Sequence, residues 1–435
     1  MTTEIFDISF DGLGVGKYND KVIFIPNTII GDVVEFDIVK EKKNFSFGKV
    51  LSFVAKSKHR KEVECPFFDN CGGCDFLNLD EYQEQVVKEN MVLNRLHRAF
   101  DMSNADFVPS EHTYDFYNYR NKVVFQCEVI KGKLYFGFYE KGTNNLIKLT
   151  SCMLFDNIFI DVASNLILEL EIILTSVELK DVKHIVLKKN SEGDILLGLV
   201  MRKLDDTTVS KLKKIKDLGV HTFVVNVNNA KNSVNFGNDT IILQGDGHIK
   251  ESLFSYVFDI SLLSFFQVNR QQTIHLYNII CDFLKSEEVE CVIDGYCGVG
   301  TIAFSISKFF NKVIGVESLL PAYENAVSSL EKSDIKNVSF IHGKFEDEIQ
   351  SILDDNKNIA IILDPPRRGC DTVVIESILK NKIDNVVYVS CDLSGFIKDM
   401  TLLENEYNIS KFSVVNMFPR TKNIESVFLL KKNKS

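Results

Sequence analysis

The sequence predicts a multidomain protein of mixed β and α/β class: a small N-terminal β-barrel, an α+β central domain and a C-terminal doubly wound domain on a parallel sheet. Three observations carry this reading. The 435 residues exceed what one ordinary core organises. The opening residues are short β-rich runs separated by turns, as in a small barrel. After about Phe265 strands alternate with helices, the pattern of a parallel sheet. The domains are read as 1–57, 58–260 and 261–435.

The barrel rests on IFDISF, KVIFIP, DVVEFDIV and FSFGKVLSFV, with turns at GLGVGKYND and NTIIGD. EYQEQVVKENMVLNRLHRAF has apolar residues at helical spacing. From Tyr114 to about Ile260, strands such as KVVFQCEVI, KLYFGFYE, DILLGLVM and HTFVVNVN mix with helices such as IFIDVASNLILELEIIL. The C-terminal domain opens on the helix RQQTIHLYNIICDFL, followed by the strands ECVIDGYCG, KVIGVE, NIAIILD and NVVYVSC with helices between them. ISKFSVVNMFP and IESVFLLKK are expected to pair antiparallel at the sheet edge.

Composition bounds the function. The chain is 45% hydrophobic and 25% charged, as ordinary soluble proteins are. No apolar run reaches the roughly 18–20 residues that span a bilayer. The acidic start MTTEIFDISF has no signal-peptide pattern, so a cytoplasmic protein without a membrane partner, and a monomer, is expected. The net charge of −10 hides a basic run: Lys40, Lys42, Lys43, Lys49, Lys56, Lys58, Arg60 and Lys61 against the single acid Glu41. The end of the chain is basic too, at Arg420, Lys422, Lys431, Lys432 and Lys434. These runs suit RNA phosphates or are plain solvated surface.

Chemistry concentrates at four strand ends. VIDGYCGVGT runs a strand into Asp294 and a glycine-rich turn, where the backbone can approach a ligand. VIGVE ends in Glu317, a carboxylate placed to accept from both ribose hydroxyls. LDPPRRG carries Asp364 into a loop stiffened by two prolines. VVYVSCDLSGF puts Cys391 at the lip of the fourth strand. That thiol is core filler, a metal ligand or a nucleophile, and its place in the same crevice disfavours filler.

The ten cysteines add a second signal. In a reducing compartment clustered cysteines suggest metal binding rather than disulfides. Cys127, Cys281, Cys291, Cys297 and Cys370 suit small buried hydrophobes. Cys65, Cys71 and Cys74 in CPFFDNCGGC are one short of a four-ligand site, with zinc or an iron–sulfur cluster as possible occupants. By spacing alone the fourth ligand is Cys127 or Cys152.

The ordered set VIDGYCGVGT, GVE, DPPRRG, VSCD and MFPRTKNIESVFLL, with SFFQVN (Ser264 to Asn269) upstream, resembles the RumA/TrmA family of RNA uracil-5 methyltransferases. Residues 8 to 58 resemble a TRAM RNA-binding barrel of OB-like form, and the C-terminal domain would be Rossmann-like. The resemblance implies an S-adenosylmethionine (SAM) enzyme with Cys391 as nucleophile and Glu425 as general base. It assigns Gln267, Tyr296, Glu317 and Asp364 to SAM, and a [4Fe–4S] cluster to Cys65, Cys71, Cys74 and Cys152.

The chemistry independently wants these residue types. C5 of uracil is a poor nucleophile until a thiolate adds to C6, and a base must then remove the C5 proton. An electropositive setting is therefore expected around Cys391. Barrel and cluster together are similar to the ribosomal-RNA branch (RlmD/RlmCD-like), so a 23S rRNA uridine is expected, with tRNA second. YNYRNK (Tyr117 to Lys122) could add RNA contacts. The chain departs from the family pattern at Asn423, where His is common, and at Leu393, where Pro is common. Rival readings are an amine methyltransferase, to which DPPR is partly similar, and a non-catalytic iron–sulfur RNA-binding module. A radical SAM enzyme lacks its usual C-x3-C-x2-C spacing here.

Overall fold

The computed structural model describes residues 1–111, 115–230 and 235–433. Tyr114, the start of the mixed strand-and-helix part of the central domain, and Lys434 of the basic C-terminus lie outside them.

The N-terminal stretch folds into a six-stranded sheet. Its first strand closes it by changing partner: Thr2–Glu4 pairs with residues 33–35, and Asp7–Ile8 continues onto Gly14 and Val15. Ile5, Ile23, Ile25, Val34 and Phe36 fill its small core. Alternate residues of each strand point inward, as the two-residue period requires.

The central sheet has seven strands and is antiparallel except where Ile195–Met201 runs parallel to Thr222–Val227. The apolar stripe of the helix Ile158–Ile173 (Phe159, Val162, Ala163, Leu166, Leu170) packs against it. The strand Val182–Lys189 and the hairpin His248–Leu253/Tyr256–Ser261 are additional to the sequence reading.

The C-terminal sheet has eight strands. Their order is Val338–His342, Lys312–Glu317, Cys291–Asp294, Ile359–Leu363, Asn385–Ser390, Glu425–Lys432, Tyr407–Val415 and Asp106–Phe107. The first five are parallel and the next two antiparallel. Strand order reverses between Cys291–Asp294 and Ile359–Leu363, the place where such sheets open a ligand crevice beyond the strand ends. Both strands are buried throughout or nearly so, which explains their unbroken Val/Ile composition.

Three elements depart from the sequence reading. The edge strand Val338–His342 and the following helix Phe345–Asp354 went unread, because the strand is half exposed and carries little apolar pattern. The antiparallel pair is not the outermost edge, since Asp106–Phe107 adds beyond it. The helix Glu81–Ala99, read with the central domain, packs Val87, Met91, Val92 and Leu96 into one core with the C-terminal sheet. Helical spacing revealed its apolar face but not which core that face serves. Among the described residues no helix is long and apolar enough to cross a membrane.

Candidate functional site

Four adjacent parallel strands deliver Asp294, Glu317, Asp364 and Cys391 to one end of the sheet. The antiparallel neighbour supplies the fifth group. Ser390 pairs with Ser426, so the same register carried one residue further sets Cys391 opposite Glu425. Residues directly opposite in an antiparallel pair bring their side chains within contact range.

The glycine-rich turn is shaped by sterics. Gly298 and Gly300 have φ of 56° and 83°, and a Cβ at Gly300 would stand 2.5 Å from the Phe340 ring. The Glu317 carboxylate accepts from the Gly298 N–H at 2.9 Å and the Leu319 N–H at 2.6 Å, which fixes its orientation across the turn. Gly295, Tyr296, Glu317, Phe345 and Pro366 help line a cavity of 300 Å³ here, the small end of the range for ligand pockets. The half-buried Tyr296 ring meets Phe345 edge-on at 5.6 Å.

The loop from Asp364 to Cys370 is packed backbone against backbone on the helix Leu393–Leu403. A Cβ on Gly395 would lie 2.5 Å from the Arg367 carbonyl oxygen. The buried Asp399 carboxylate ties this loop to the sheet, accepting from the Cys370 N–H at 2.6 Å and the Tyr388 hydroxyl at 2.8 Å. Asp392 caps the same helix by accepting from the Ser394 N–H, and Leu393 is buried as its first residue.

The electrostatics reverse one expectation. Burial, then the charges of Glu425 and Asp364, pushes the Cys391 thiol up to about 12, with Arg367 pulling the other way. The site is acidic rather than electropositive, because the strand register faces the thiol with a carboxyl. Burial lifts the Glu425 carboxyl well above its ordinary range, with Asp364 adding to the rise, and burial lifts Asp364 as well. Asp294 is held up to about 8 by burial, then by Asp364 and Glu317. The Oε2 of Glu425 is buried without a hydrogen-bond partner.

Gln267 is buried, and its carbonyl accepts from the Asn121 amide at 3.0 Å. No hydrogen bond among the described residues joins its side chain to the crevice carboxylates. The buried Lys188 fixes its segment by donating to the carbonyls of Ser261 and Ser264, each at 2.7 Å. Sequence reading missed Tyr277 on the helix Arg270–Leu284. This tyrosine is buried, bonds Thr301 at 2.7 Å and feels the charges of Asp364, Asp294 and Glu425.

Cys65, Cys71, Cys74 and Cys152 line one cavity of 720 Å³, together with Arg120 and Asn423. Burial raises the Cys74 thiol well above its usual range, and the charges of Cys152, Cys71 and Cys65 add to the rise. Burial likewise pushes Cys152 up to about 11, with Cys65 and Cys71 among the groups it feels. Cys127 stands elsewhere, pushed up to about 12 by burial beside Ile185 and Arg202. Among the described residues no group of three or more Cys, His, Asp or Glu side chains is close enough to hold a single metal ion. Four thiolates are the number that a [4Fe–4S] cluster takes, and these four share the wall of one cavity.

Of the basic run, Lys40, Lys42, Lys43, Lys49, Lys56 and Lys58 are exposed, with exposed Val39, Leu51 and Val54 between them. Arg60 pairs with Asp32, and Lys61 with Glu81 at 2.6 Å. The basic C-terminus is also engaged: Lys422 with Asp11, Lys431 with Glu287, Lys432 with Asp384, while Arg420 is fully buried. Within YNYRNK, Tyr119 is buried and donates to the Pro419 carbonyl at 2.9 Å, so that stretch is part of the scaffold.

Comparison with known proteins follows this geometry. The family model described as tRNA (Uracil-5-)-methyltransferase matches residues 81–433, and that of the TRAM domain matches residues 2–51. The chain is 31% identical to an uncharacterized RNA methyltransferase of Clostridium acetobutylicum, covering 98% of this chain and 96% of that one. It is 34% identical to another of Clostridium tetani, covering 96% and 93%. Its fold is similar to that of the Pyrococcus abyssi tRNA (uracil-54, C5)-methyltransferase solved with S-adenosyl-L-homocysteine. The TM-score is 0.75 at 23% identity, over 99% of this chain and 100% of that one.

The crevice carboxyls give stability a definite sign with pH. The folded Asp294 keeps its proton up to about 8, whereas the free carboxyl loses it near 3.8. Its contribution is complete below the lower value and is lost as pH rises through the upper one, at up to about 1.4 kcal/mol per pH unit. The melting temperature of the ligand-free protein should therefore fall between about pH 5 and about pH 8.5, and Asp294→Asn should flatten that fall. A variant with the wild-type slope would mean that Asp294 is ionised in the folded protein.

Proposed function

The chain belongs to the tRNA (uracil-5-)-methyltransferase family, a family of SAM-dependent RNA methyltransferases, and on that premise we propose that it methylates C5 of a 23S ribosomal RNA uridine in the cytoplasm, with Cys391 as nucleophile and Glu425 as base. One observation carries the reading: the Ser390–Ser426 register, which sets a thiol and a partnerless buried carboxyl face to face at the mouth of the crevice.

Each group then has a defined task. The Cys391 thiolate forms an S–C6 bond to a flipped uracil, and the C5=C6 pair of electrons moves onto C5 and O4. SAM, when bound, supplies the methyl group that C5 attacks. Glu425 takes the C5 proton, the S–C6 bond breaks, and its electrons return to sulfur as C5=C6 reforms. Asp364, Glu317, Tyr296 and Gln267 are the residues proposed to hold SAM, with Glu317 accepting from the ribose. The thiol rests protonated in the free protein. A bound cationic cofactor would favour ionised carboxylates, leaving Asp364 to accept the thiol proton and Glu425 to take the C5 proton.

Cys65, Cys71, Cys74 and Cys152 are proposed to hold a [4Fe–4S] cluster with a structural or RNA-contact role, since methyl transfer moves no electron. The exposed lysines from Lys40 to Lys58 suit the RNA backbone. A transfer-RNA uridine is the second reading. It is favoured by the similar archaeal structure, whose stated substrate is tRNA and which spans this chain almost end to end.

Two outcomes are expected. RNA carrying [5-³H]uridine should release tritium with wild-type protein and SAM, and none with Cys391→Ala. Methyl transfer without tritium release would move the target off C5. Anaerobically purified protein should contain iron and acid-labile sulfide in equal amounts, lost in Cys152→Ala and kept in Cys127→Ala. Iron retained by Cys152→Ala would overturn that ligand set.

A further inference from the structure

We propose that Arg420 is the positioning residue for proton removal. It locks the loop 416–424 and thereby aims Glu425, the residue that follows it. The inference rests on the reading of Glu425 as the base.

Arg420 is a guanidinium with 0% exposure, in a loop that runs from Met417, Phe418 and Pro419 into Thr421, Lys422 and Asn423. Its backbone has φ of 69°, a left-handed conformation that a long side chain holds only where its surroundings impose it. Those surroundings come from other parts of the chain. The guanidinium donates to the carbonyls of Phe76 at 3.1 Å and Leu79 at 2.7 Å, and pairs with Glu81 and with Glu84 at 3.3 Å. It lies over the rings of Phe116 and Tyr117. The Arg420 N–H donates to Glu84 at 2.9 Å, and its carbonyl accepts from the N–H groups of Asp75 and Phe76.

The rest of the loop is held by the same groups. Fully buried Lys88 pairs with Glu84 at 3.0 Å and donates to the Asn416 side chain at 2.7 Å and the Phe418 carbonyl at 3.0 Å. Tyr119 donates to the Pro419 carbonyl at 2.9 Å, and the Lys422 N–H donates to Asp75 at 3.0 Å. Every anchor lies outside the catalytic sheet, and the loop they hold opens directly onto Glu425. A salt bridge serving stability alone does not require this arrangement. Displacement by a fraction of an ångström matters more to a base than to a fold, because proton transfer needs a short, aligned contact.

The test separates aiming from folding by looking for the stalled intermediate. Methylated uracil that cannot lose its C5 proton stays bonded to Cys391, and the protein–RNA adduct survives a denaturing gel. Glu425→Gln is the control and should trap that adduct. Arg420→Lys keeps the charge and loses the planar fork. It should trap the adduct as well, with kcat reduced roughly tenfold to hundredfold and KM for SAM changed less than about twofold. Tyr119→Phe removes one anchor without changing volume, and should trap less adduct with kcat down about threefold to tenfold. Should Arg420→Lys fail to fold, as a melting curve would reveal, Tyr119→Phe decides alone. If Glu425→Gln traps the adduct but the folded anchor variants do not, the positioning role is wrong and the base assignment stands. If Glu425→Gln traps nothing, the base assignment itself falls and takes the inference with it.

Discussion

The structure turns on one buried cation. The Arg420 guanidinium is out of contact with solvent, and a charge so placed is tolerated only when it is paired and hydrogen-bonded. Its partners come from the cysteine-bearing segment (the Phe76 and Leu79 carbonyls, both on Nη1) and from the helix Glu81–Ala99 (Glu81, Glu84), while its Nε has no hydrogen-bond partner. The barrel reaches the same point, where Gly12 turns at φ of 73° and a Cβ there would lie 3.2 Å from the Asp75 Cβ and 3.3 Å from the Lys422 Cβ. Removing one partner of a buried pair typically costs about 3–5 kcal/mol, so these segments hold one another in a single arrangement. Barrel, cysteine cavity and the hairpin that carries Glu425 are thus fastened together where Thr421 and Lys422 form part of the cavity wall.

The crevice follows a different logic. Parallel strands bring Asp294, Asp364 and Cys391 to one rim, and the antiparallel strand adds Glu425 from the far side. Burial lifts the carboxyls of Asp294 and Asp364, and burial first, then any charge on Glu425 and Asp364, lifts the thiol. In the ligand-free site charge is thus disfavoured on the thiol and on the acids alike. A cationic methyl donor would supply the charge that this arrangement lacks, and under the proposed function its binding would favour ionisation of Cys391.

Much of this was legible in the chain. Val/Ile-rich runs that stop at Asp294, Glu317, Asp364 and Cys391, the first three followed at once by Gly, Ser or Pro, can be read directly as buried strands with polar groups at one end of the sheet. The cysteine spacing announced a multi-thiol site but could not choose between Cys127 and Cys152, which the fold separates. Three things were hidden. The two-residue strand Asp106–Phe107 has too little pattern to register. The helix Glu81–Ala99 shows an apolar face without naming the core it joins. Arg420 looked like part of a basic terminus, because charge runs are read as surface and burial depends on partners more than 330 residues away. The expected electropositive thiol failed for a related reason: cross-strand register, which sequence does not display, placed Glu425 opposite it.

The most direct measurement is to incubate the protein and SAM with RNA containing 5-fluorouridine, digest the denatured product and locate the nucleotide by mass spectrometry. Fluorine at C5 cannot leave as a proton, so the adduct stalls after methyl transfer. The nucleotide should be found, methylated, on the peptide carrying Cys391 and on no other. Attachment at Cys297 or Cys370, or no covalent product while uridine RNA is turned over, would contradict Cys391 as the nucleophile.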